Sequence, residues 1–523
     1  MAAQRERWGS RFGLILAVAG NAIGLGNFLR FPRQAALNGG GAFMIPYFAA
    51  LLLLGIPLMW VEWAIGRFGG RFGHGTLPGM FARMWHHPAA KYLGALGVAG
   101  PLCFVMYYTV IEGWTLAYAC FSAVKYYWGV DTYVEMTRFL GEFQGKADIS
   151  GGARYFSSIL PVVGFFFVTL GINIWVLARG VTAGIEKLAK VAMPLLFVFA
   201  AILVVRVLFL GTPDPAQPGN SVAAGFAYLW NPNFSLLSSP AVWLAAAGQI
   251  FFTLSIGNAS IHTYASYLRD TDDVALNGLT TSATNEFAEV ILGGSIAIPV
   301  AVAFFGLDQT RAIAQAGSFD LGFQAMPLIF QRMGVLGPLW GTLWFSLLFF
   351  AGITSSVALA QPVMAFFQDE FRWTRRRAVA ATGTLMLLGG LPCVLFLKHG
   401  FLDEMDFWAG TFILVVIALV EVVLFAWVFG IDRGWAEITR GADISLPRVM
   451  RGVIKYVTPT FLIILLAAWF WRDALPVLRL QGRNAADAPY LWGARAMMLA
   501  VFVLFTALVA VIWRRRHRRE GLL

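Results

Sequence analysis

Apolar residues in this chain occur in continuous runs of helical length and do not alternate with polar residues. A helix needs about 20 apolar residues to cross the hydrocarbon core of a bilayer. Continuous runs therefore favour membrane-spanning helices over the strands of a membrane barrel. The sequence predicts twelve spans, near residues 11–36, 41–66, 89–123, 160–179, 188–210, 241–268, 275–305, 337–370, 377–397, 404–430, 450–472 and 489–513.

Composition supports this interpretation. Of the 523 residues, 59% are hydrophobic and only 13% are charged, whereas a soluble domain carries roughly 25% charged residues. So few charges cannot cover a water-facing surface of this size. The sequence therefore predicts an all-α polytopic membrane protein, and it excludes a soluble enzyme, a disordered chain and a nucleic-acid-binding domain.

The distribution of charge predicts the orientation. The net charge is +11, and Lys and Arg cluster at the chain ends and in alternate loops, as the positive-inside rule requires of cytoplasmic segments. We expect both termini in the cytoplasm and a location in the cell (inner) membrane. The 125–158 loop and the 308–334 stretch are then external, the second with short helical patches. Because the first run contains Asn21, Asn27 and Arg30, we expect a retained span and not a cleaved signal peptide.

Two of the predicted spans contain residues that break helices. The first reads Ala19-Gly-Asn-Ala-Ile-Gly-Leu-Gly-Asn27, and the sixth reads Phe251-Phe-Thr-Leu-Ser-Ile-Gly-Asn258. A glycine costs a helix interior about 1 kcal/mol, and an unpaired amide in hydrocarbon costs several kcal/mol more. Two breaks about five spans apart predict an inverted repeat whose discontinuous helices meet at the bilayer midplane.

Broken helices provide a particular chemistry. The free N–H groups at a half-helix N-terminus attract a carboxylate, and unwound carbonyls with side-chain oxygens suit a monovalent cation. Candidate side chains are Asn27, Thr253, Asn285, Thr354 and Ser355. For any single Ser or Thr, the alternative is a hydrogen bond to its own helix.

Four long motifs carry a resemblance to a known family. They are Gly20-Asn-Ala-Ile-Gly-Leu-Gly-Asn-Phe-Leu-Arg-Phe-Pro32, Asn38-Gly-Gly-Gly-Ala-Phe-Met-Ile-Pro-Tyr47, Gly248-Gln-Ile-Phe-Phe-Thr-Leu-Ser255 and Leu402-Asp-Glu-Met-Asp-Phe-Trp-Ala-Gly410. Through them the sequence resembles the neurotransmitter:sodium symporter family over essentially its whole length.

The resemblance implies a LeuT-like fold of twelve transmembrane helices in a five-plus-five inverted repeat. Residues 11–210 would form the first repeat, 241–430 the second, and 450–513 two additional helices of a single transporter domain. The implied function is sodium-coupled symport of a neutral amino acid by alternating access. The implied partners are the amino acid, sodium ions and the bilayer, with a homodimer left open and with no organic cofactor.

The resemblance also implies two sodium sites. The first would use the carbonyls of Ala22 and Thr253, the side chains of Asn27, Thr253 and Asn285, and an oxygen of the substrate carboxylate. The second would use the carbonyls of Gly20, Ile23 and Ala351 and the hydroxyls of Thr354 and Ser355. Since substrate and ion share an oxygen in the first site, each would favour binding of the other.

A substrate pocket is implied between spans 1, 3, 6 and 8. Its residues would be Asn21, Ala22, Leu25, Gly26, Phe104, Tyr108, Phe252, Thr253, Ser255, Asn258, Ser355 and Leu359. The Tyr108 hydroxyl would bind the substrate carboxylate, and Phe252 would close over it. Members of the family that carry amines have Asp at the position of Gly24, so the resemblance favours an amino acid over a monoamine.

Phe104 and Asn258 depart from the family pattern, and Leu359 is a mild change. We do not carry over a side-chain specificity for that reason. A buried amide facing an apolar side chain costs about 1–3 kcal/mol if it is unsatisfied. Asn258 therefore either contacts a small or polar substrate or bonds a nearby backbone group.

Charged residues near the span ends match gates of the family. Arg30 and Asp406 would form the external gate, and Arg5 and Asp369 the internal one, with Trp8 and Tyr267 packed beside it. The alternative for each is a side chain that extends to the membrane surface.

Several carboxylates are predicted to lie within spans. Glu289, in the seventh span, would take the place of the chloride ion that some relatives bind, which predicts chloride-independent transport; whether Glu289 also exchanges a proton is left open. Glu62, Glu112, Glu286 and Glu421 are interpreted as members of structural networks.

Alternatives to a transporter are a membrane enzyme, an ion channel and a transporter-like amino-acid sensor. Of six histidines only His262 lies in a predicted span, so paired haem ligands are missing, and no HExxH or GxSxG set occurs. A fixed stoichiometry between sodium flux and amino-acid flux would exclude a channel. Uptake of the amino acid into proteoliposomes would exclude a sensor.

Overall fold

The computed structural model describes residues 8–146, 152–317 and 319–519, and within these ranges the chain is helical with no strand. Consecutive α- and π-helical turns are joined under one label. The helices of the first half are α1 (Arg11–Ala22), α2 (Gly26–Leu37), α3 (Gly41–Arg71), α4 (Leu77–Met84), α5 (Pro88–Ala123), α6 (Tyr133–Gln144), α7 (Leu160–Leu208) and α8 (Val222–Trp230).

The second half follows the same pattern of long helices joined by short ones. Its helices are α9 (Pro240–Thr253), α10 (Ser260–Ala265), α11 (Val274–Phe305), α12 (Leu307–Ala316), α13 (Met326–Arg332), α14 (Gly337–Glu370), α15 (Arg375–Leu395), α16 (Phe401–Val428), α17 (Ile431–Thr439), α18 (Val449–Leu478) and α19 (Ala485–Arg515).

Nine helices in the described part of the chain are long and apolar enough to cross a membrane, and the bent pair α1–α2 makes a tenth span. Helix α7 has 49 residues, more than twice the roughly 20 that one crossing of the hydrocarbon core needs. Gly180, with a φ of 90°, divides it between the fourth and fifth predicted spans. Helices α9 and α10 occupy the sixth. The count of twelve spans stays a prediction.

One element of the structure was not expected. The 125–158 loop contains α6, which begins after Thr132, whose hydroxyl accepts the Glu135 N–H at 3.2 Å. It ends at Gly145, which has a φ of 71°. A threonine cap and a left-handed glycine are ordinary helix ends, but 12 residues are too few to be recognised in a polar segment. Helices α12 and α13 are the short helical patches expected in 308–334.

Burial separates a central group of helices from a peripheral one. In the most apolar stretch of α5, 94% of residues are buried, whereas the corresponding fraction is 22% in α19 and 33% in α18. Helix α5 packs along α14, and α14 also contacts α1 and the second half of α7. The central helices therefore surround the two broken spans, while apolar residues of the peripheral helices face outward, where lipid would cover them.

Candidate functional site

The first predicted span is broken where the glycines occur. Helix α1 ends at Ala22, Ile23 has an extended backbone with a ψ of 95°, and the axis of α2 turns by 45°. The Asn27 side-chain oxygen accepts the Gly24 N–H at 2.8 Å. This asparagine therefore stabilises the break, and the carbonyls beside it are outside the regular helical ladder.

The sixth predicted span is also broken, between α9 and α10. Ser255, Gly257 and Ala259 have φ values of 56°, 78° and 60°, and the left-handed region costs a non-glycine residue about 1–3 kcal/mol. The break is held by tertiary hydrogen bonds. The Ser255 hydroxyl donates to the Asn21 carbonyl at 2.9 Å, and the Gly257 N–H donates to the Glu62 carboxylate at 2.6 Å. Both predicted interruptions are present, and they lie against each other.

A buried polar cluster connects the two breaks with α11. The Asn27 amide nitrogen lies 3.1 Å from Thr253 Oγ1 and 2.8 Å from the Asn285 side-chain oxygen. The same end of the Asn285 amide lies 3.2 Å from the carbonyl oxygens of Ala22 and Thr253. The five groups expected for the first sodium site therefore lie together, and all four residues are at most 2% exposed.

A carboxylate lies directly behind this cluster. Glu289 accepts hydrogen bonds from the Thr253 hydroxyl, from Gln249 Nε2 at 3.0 Å and from the Tyr47 hydroxyl at 2.8 Å. Sequence reasoning identified Glu289 but missed Tyr47 and Gln249. Both stand inside the quoted motifs, and one polar residue in an apolar motif gives no separate signal.

Residues expected for the second sodium site lie where α1 packs on α14. The Ser355 hydroxyl is 3.2 Å from the Gly20 carbonyl oxygen, and a Cβ atom on Gly20 would lie 3.0 Å from Cβ of Thr354. Thr354 Oγ1 donates within α14, to the Ala351 carbonyl at 3.2 Å. Ile23 is fully buried at the adjoining break. The two helices are thus in close contact through the expected residues.

The region expected to hold a substrate carboxylate lies at the start of α2. The Leu25 N–H donates to the Tyr108 hydroxyl oxygen at 3.0 Å. The Phe252 ring lies on Gly26, since a Cβ atom there would be 2.5 Å from two ring carbons. Phe104 contacts both aromatic rings, with centroids 5.6 Å from Tyr108 and 5.8 Å from Phe252. Three aromatic residues therefore cover the start of α2, where the Leu25 N–H is bonded to Tyr108.

Asn258 participates in the local structure of the break. Its side-chain oxygen accepts the Ser260 N–H at 3.0 Å and the Ser260 hydroxyl. The same hydroxyl lies 2.9 Å from the Asn21 side-chain oxygen. The amide therefore forms an Asx-turn that satisfies the first N–H of α10. Leu359, one turn after Ser355 on α14, is 2% exposed.

On the side of the breaks expected to face outward, a cavity of about 110 Å³ is lined by Phe252. The Arg30 guanidinium lies over the Phe252 ring, 4.3 Å from its centroid. Asp406 accepts the Tyr107 hydroxyl at 2.7 Å. In the described part of the chain no ion pair within 4.0 Å joins Arg30 to Asp406. Both groups line one cavity, but the expected external pair is not in direct contact.

On the side of the breaks expected to face the cytoplasm, Trp8 packs against α10. Its indole N–H donates to the Tyr264 carbonyl at 3.1 Å, and its ring lies 6.4 Å from that of Tyr267. The Tyr267 hydroxyl accepts Gln361 Nε2 at 2.9 Å. Asp369 is in the last turn of α14, and Arg5 lies outside the described residues. The aromatic part of the expected internal gate is thus assembled.

Comparison with known proteins agrees with this architecture. A family profile described as the sodium:neurotransmitter symporter family matches residues 5–150 and 155–514. An uncharacterized sodium-dependent transporter of Methanocaldococcus jannaschii is 30% identical over 506 residues, covering 96% of each chain. The sodium-dependent nutrient amino acid transporter 1 of Drosophila melanogaster is 25% identical over 514 residues, covering 88% of this chain and 77% of that one.

Among solved structures, the crystal structure of MhsT in complex with L-phenylalanine superposes with a TM-score of 0.74 at 29% identity. It covers 89% of this chain and 99% of the other. The helical architecture is therefore LeuT-like, as the motifs implied. The chain belongs to the sodium:neurotransmitter symporter family and is a sodium-dependent integral membrane transporter.

Proposed function

We propose that this protein is a symporter that couples the entry of sodium to the uptake of a neutral amino acid, by alternating access and without a requirement for chloride. One observation carries the proposal. The two breaks bring carbonyl, amide and hydroxyl groups of α1, α2 and α9 within 3.2 Å of the Asn285 side chain of α11, beside the N-terminus of α2. This arrangement provides a cation site and a carboxylate site in contact.

The proposed first sodium site is formed by Ala22, Asn27, Thr253 and Asn285. The carbonyl oxygens of Ala22 and Thr253 each lie 3.2 Å from the same end of the Asn285 amide. The amide nitrogen would satisfy these carbonyls by hydrogen bonds, whereas the amide oxygen would join them around a cation. Rotation of one amide therefore changes the site from a hydrogen-bonded cluster to a set of oxygen ligands.

The proposed second sodium site lies between α1 and α14. Ser355 and Thr354 supply hydroxyls, and Gly20, Ile23 and Ala351 supply carbonyls. The close packing at Gly20 means that a cation there would tie α1 to α14. Loss of this ion would loosen the inner half of the first span, which is the step that opens a path to the cytoplasm.

The substrate carboxylate would bind at the N-terminus of α2, where the N–H groups of Leu25 and Gly26 and the Tyr108 hydroxyl are available. A Cβ atom on Gly24 would lie 2.9 Å from both Tyr108 Oη and Ser355 Oγ. Because Gly24 carries no carboxylate of its own, the substrate must supply the anion. An oxygen of that anion would complete the first sodium shell, which couples the two ligands.

The α-amino group would face the carbonyls of the breaks, and the side chain would face Phe104, Asn258 and Leu359. No acidic or basic side chain belongs to this set, so we propose a neutral amino acid. The Asn258 oxygen already accepts two hydrogen bonds from Ser260. This supports a structural role for Asn258 over direct selection of a polar substrate.

Glu289 would supply the negative charge that balances the first sodium ion. Its partners Tyr47, Gln249 and Thr253 are all hydrogen-bond donors to it, and such a set would otherwise suit an anion. A fixed carboxylate in this position makes a chloride ion unnecessary.

The test is uptake of each of the twenty amino acids into proteoliposomes, with an inward sodium gradient or with potassium in its place, and with chloride or gluconate. We expect sodium-driven uptake of one or more neutral amino acids in either anion. Asn285→Leu should lower the affinity for ²²Na⁺ at least tenfold, whereas Ser122→Ala, which removes a buried hydroxyl distant from the site, should not. Sodium-independent uptake, or equal ²²Na⁺ binding by Asn285→Leu, would refute the proposal.

A further inference from the structure

A second buried cluster of ionisable groups lies beside the break of the sixth span. His262 of α10 stands between two carboxyl groups, Glu62 of α3 and Glu421 of α16. Its Nδ1 atom is 3.7 Å from Glu62 Oε2, and its Nε2 atom is 3.4 Å from Glu421 Oε1. All three side chains are completely buried, and none of them belongs to the proposed sodium or substrate sites.

Most polar atoms of this cluster lack a hydrogen-bond partner. Glu62 Oε2, both ring nitrogens of His262 and both carboxyl oxygens of Glu421 are buried without a well-directed hydrogen bond. Leaving such an atom unsatisfied costs about 1–3 kcal/mol. Two ionised carboxylates so close together in a low-dielectric interior would also repel each other strongly. The cluster therefore requires bound positive charge.

The contacts suit a proton, since each ring nitrogen of His262 faces a different carboxyl group. A metal ion would instead take one ring nitrogen and one oxygen of each carboxylate, and one such set of atoms lies within 4.8 Å here, so the test must distinguish the two. An imidazole in that position donates from one nitrogen and accepts at the other when neutral, and donates from both when protonated. With both carboxylates ionised and the ring neutral, the cluster would carry two negative charges, which two bound protons neutralise.

We propose that Glu62, His262 and Glu421 form a proton-binding site whose occupancy is linked to the conformation of the break between α9 and α10. Direct contacts link the cluster to the break. The other oxygen of Glu62 accepts the Gly257 N–H at 2.6 Å, and a Cβ atom on Gly257 would lie 2.1 Å from the Leu414 carbonyl of α16. The break therefore packs between α3 and α16, the two helices that carry the carboxyl groups.

Movement of α10 would carry His262 away from one or both carboxyl groups, so the two conformations must bind protons with different affinity. By linkage, the proton then favours the conformation that binds it better. This step rests on the proposed function, because alternating access requires α10 to move. The existence of the proton site does not rest on it.

Among the described residues, the ion-pair contacts of His262 come from Glu62 and Glu421. Helices α3, α14 and α1 pack against α10. Of the other charged groups on these helices, Arg67 and Arg71 pair with Glu437, Glu370 with His74 and Arg11 with Asp443, and Asp369 lies in the last turn of α14. Glu112 and Glu289 are also completely buried carboxyl groups, and the test must distinguish them from this cluster.

The test uses the full-length protein in lipid nanodiscs, without substrate, and titrates pH while infrared spectroscopy follows the carbonyl stretch of protonated carboxyl groups. At neutral pH we expect a band that Glu421→Gln removes and that His262→Leu shifts. Glu289→Gln should leave this band unchanged, and so should His399→Gln, which alters a partly exposed histidine paired with Asp487. Retained ²²Na⁺ binding shows that Glu421→Gln and His262→Leu are folded, and if Glu421→Gln does not fold, Glu421→Asp should shift the band.

Two results would overturn the proposal. One is a carboxyl band that is the same in the wild type, Glu421→Gln and His262→Leu. The other is one zinc ion per chain after incubation with zinc chloride, lost in His262→Leu, since this would assign the cluster to a metal.

Hydrogen exchange of residues 254–265, corrected for the intrinsic effect of pH, tests the linkage. We expect protection in the wild type to change at least tenfold across the titration of the carboxyl band, and to be independent of pH in His262→Leu. Equal protection at all pH values in the wild type would refute the linkage. A transport assay that fails for every amino acid would count against the proposed function alone.

Discussion

The Tyr108 hydroxyl oxygen lies 3.0 Å from the Leu25 backbone nitrogen and accepts its N–H. This N–H is one of the donors that we assign to the substrate carboxylate. A bound carboxylate would take over the N–H, and the hydroxyl would then donate to the carboxylate. The contact therefore satisfies a buried backbone group in the absence of substrate and turns into a substrate contact on binding.

Tyr108→Phe should lower substrate affinity roughly tenfold or more, because it removes a hydroxyl that donates to the carboxylate. The ring and its contact with Phe104 are retained, so the protein should still fold. Competition against ²²Na⁺-dependent binding of a labelled amino acid measures the change. Tyr126→Phe, on the exposed outer side, is the matched control. Unchanged affinity in Tyr108→Phe would place the carboxylate elsewhere.

Gly26→Ala should prevent Phe252 from closing over the substrate. A Cβ atom at this position would lie 2.5 Å from two carbons of the ring. Because this distance is too short, either the Phe252 ring or the backbone of α2 must move. We expect faster dissociation of the substrate and loss of uptake, measured by filter binding and by transport in proteoliposomes. Gly171→Ala is a suitable control because nothing lies within 4 Å of its Cβ position. Equal loss in both variants would indicate a general effect on helices.

Glu289→Ser should make transport depend on chloride. The substitution removes the carboxylate but keeps the donors of Tyr47, Gln249 and Thr253 around the vacated space. An anion is then needed to balance the first sodium ion, and chloride fits a set of neutral donors. We expect uptake by the variant to rise with chloride concentration, while uptake by the wild type does not change. Activity of Glu289→Ser in gluconate equal to that in chloride would contradict the role assigned to Glu289.

The sequence predicts both interruptions because glycine and asparagine are unfavourable in the middle of a membrane span. Asn27, Thr253 and Asn285 could be proposed for the same reason, since a polar side chain at that depth needs a partner. Tyr47 could not, because a tyrosine in an apolar motif usually serves packing. Helix α6 was missed because its amphipathic pattern is short.

The buried cluster of Glu62, His262 and Glu421 could not be predicted from the sequence for a different reason. The sequence places His262 inside a predicted span and indicates that Glu62 and Glu421 belong to structural networks, without naming their partners. The spacing of these residues along the sequence does not indicate that they come together in space, because they belong to three distant helices. Only the packing of α3, α10 and α16 brings them together, and helix packing is not encoded in local periodicity.

Outside the membrane-spanning segments, Glu142 ties α6 to the chain that follows it. Its carboxylate accepts the backbone N–H groups of Arg154, Tyr155 and Phe156 and the Arg138 guanidinium. Burial opposes ionisation and would raise the pKa of Glu142, but these hydrogen bonds outweigh it and lower the pKa to about 2. A carboxylate that accepts several backbone N–H groups is strongly favoured in its ionised form.

Glu142→Gln should therefore loosen the external segment at neutral pH, because an amide oxygen cannot replace a carboxylate that accepts four donors. Since the folded pKa lies below the ordinary value of 4.5, the stabilisation is complete above that value and is lost as the pH falls towards 2. The difference in unfolding temperature between wild type and Glu142→Gln should shrink from about pH 5 to about pH 3. Glu135→Gln, which removes a more exposed ion pair with Arg154, should have a small effect, because such pairs contribute about 0–1 kcal/mol. A difference that stays constant with pH would mean that the charge of Glu142 does not hold the segment.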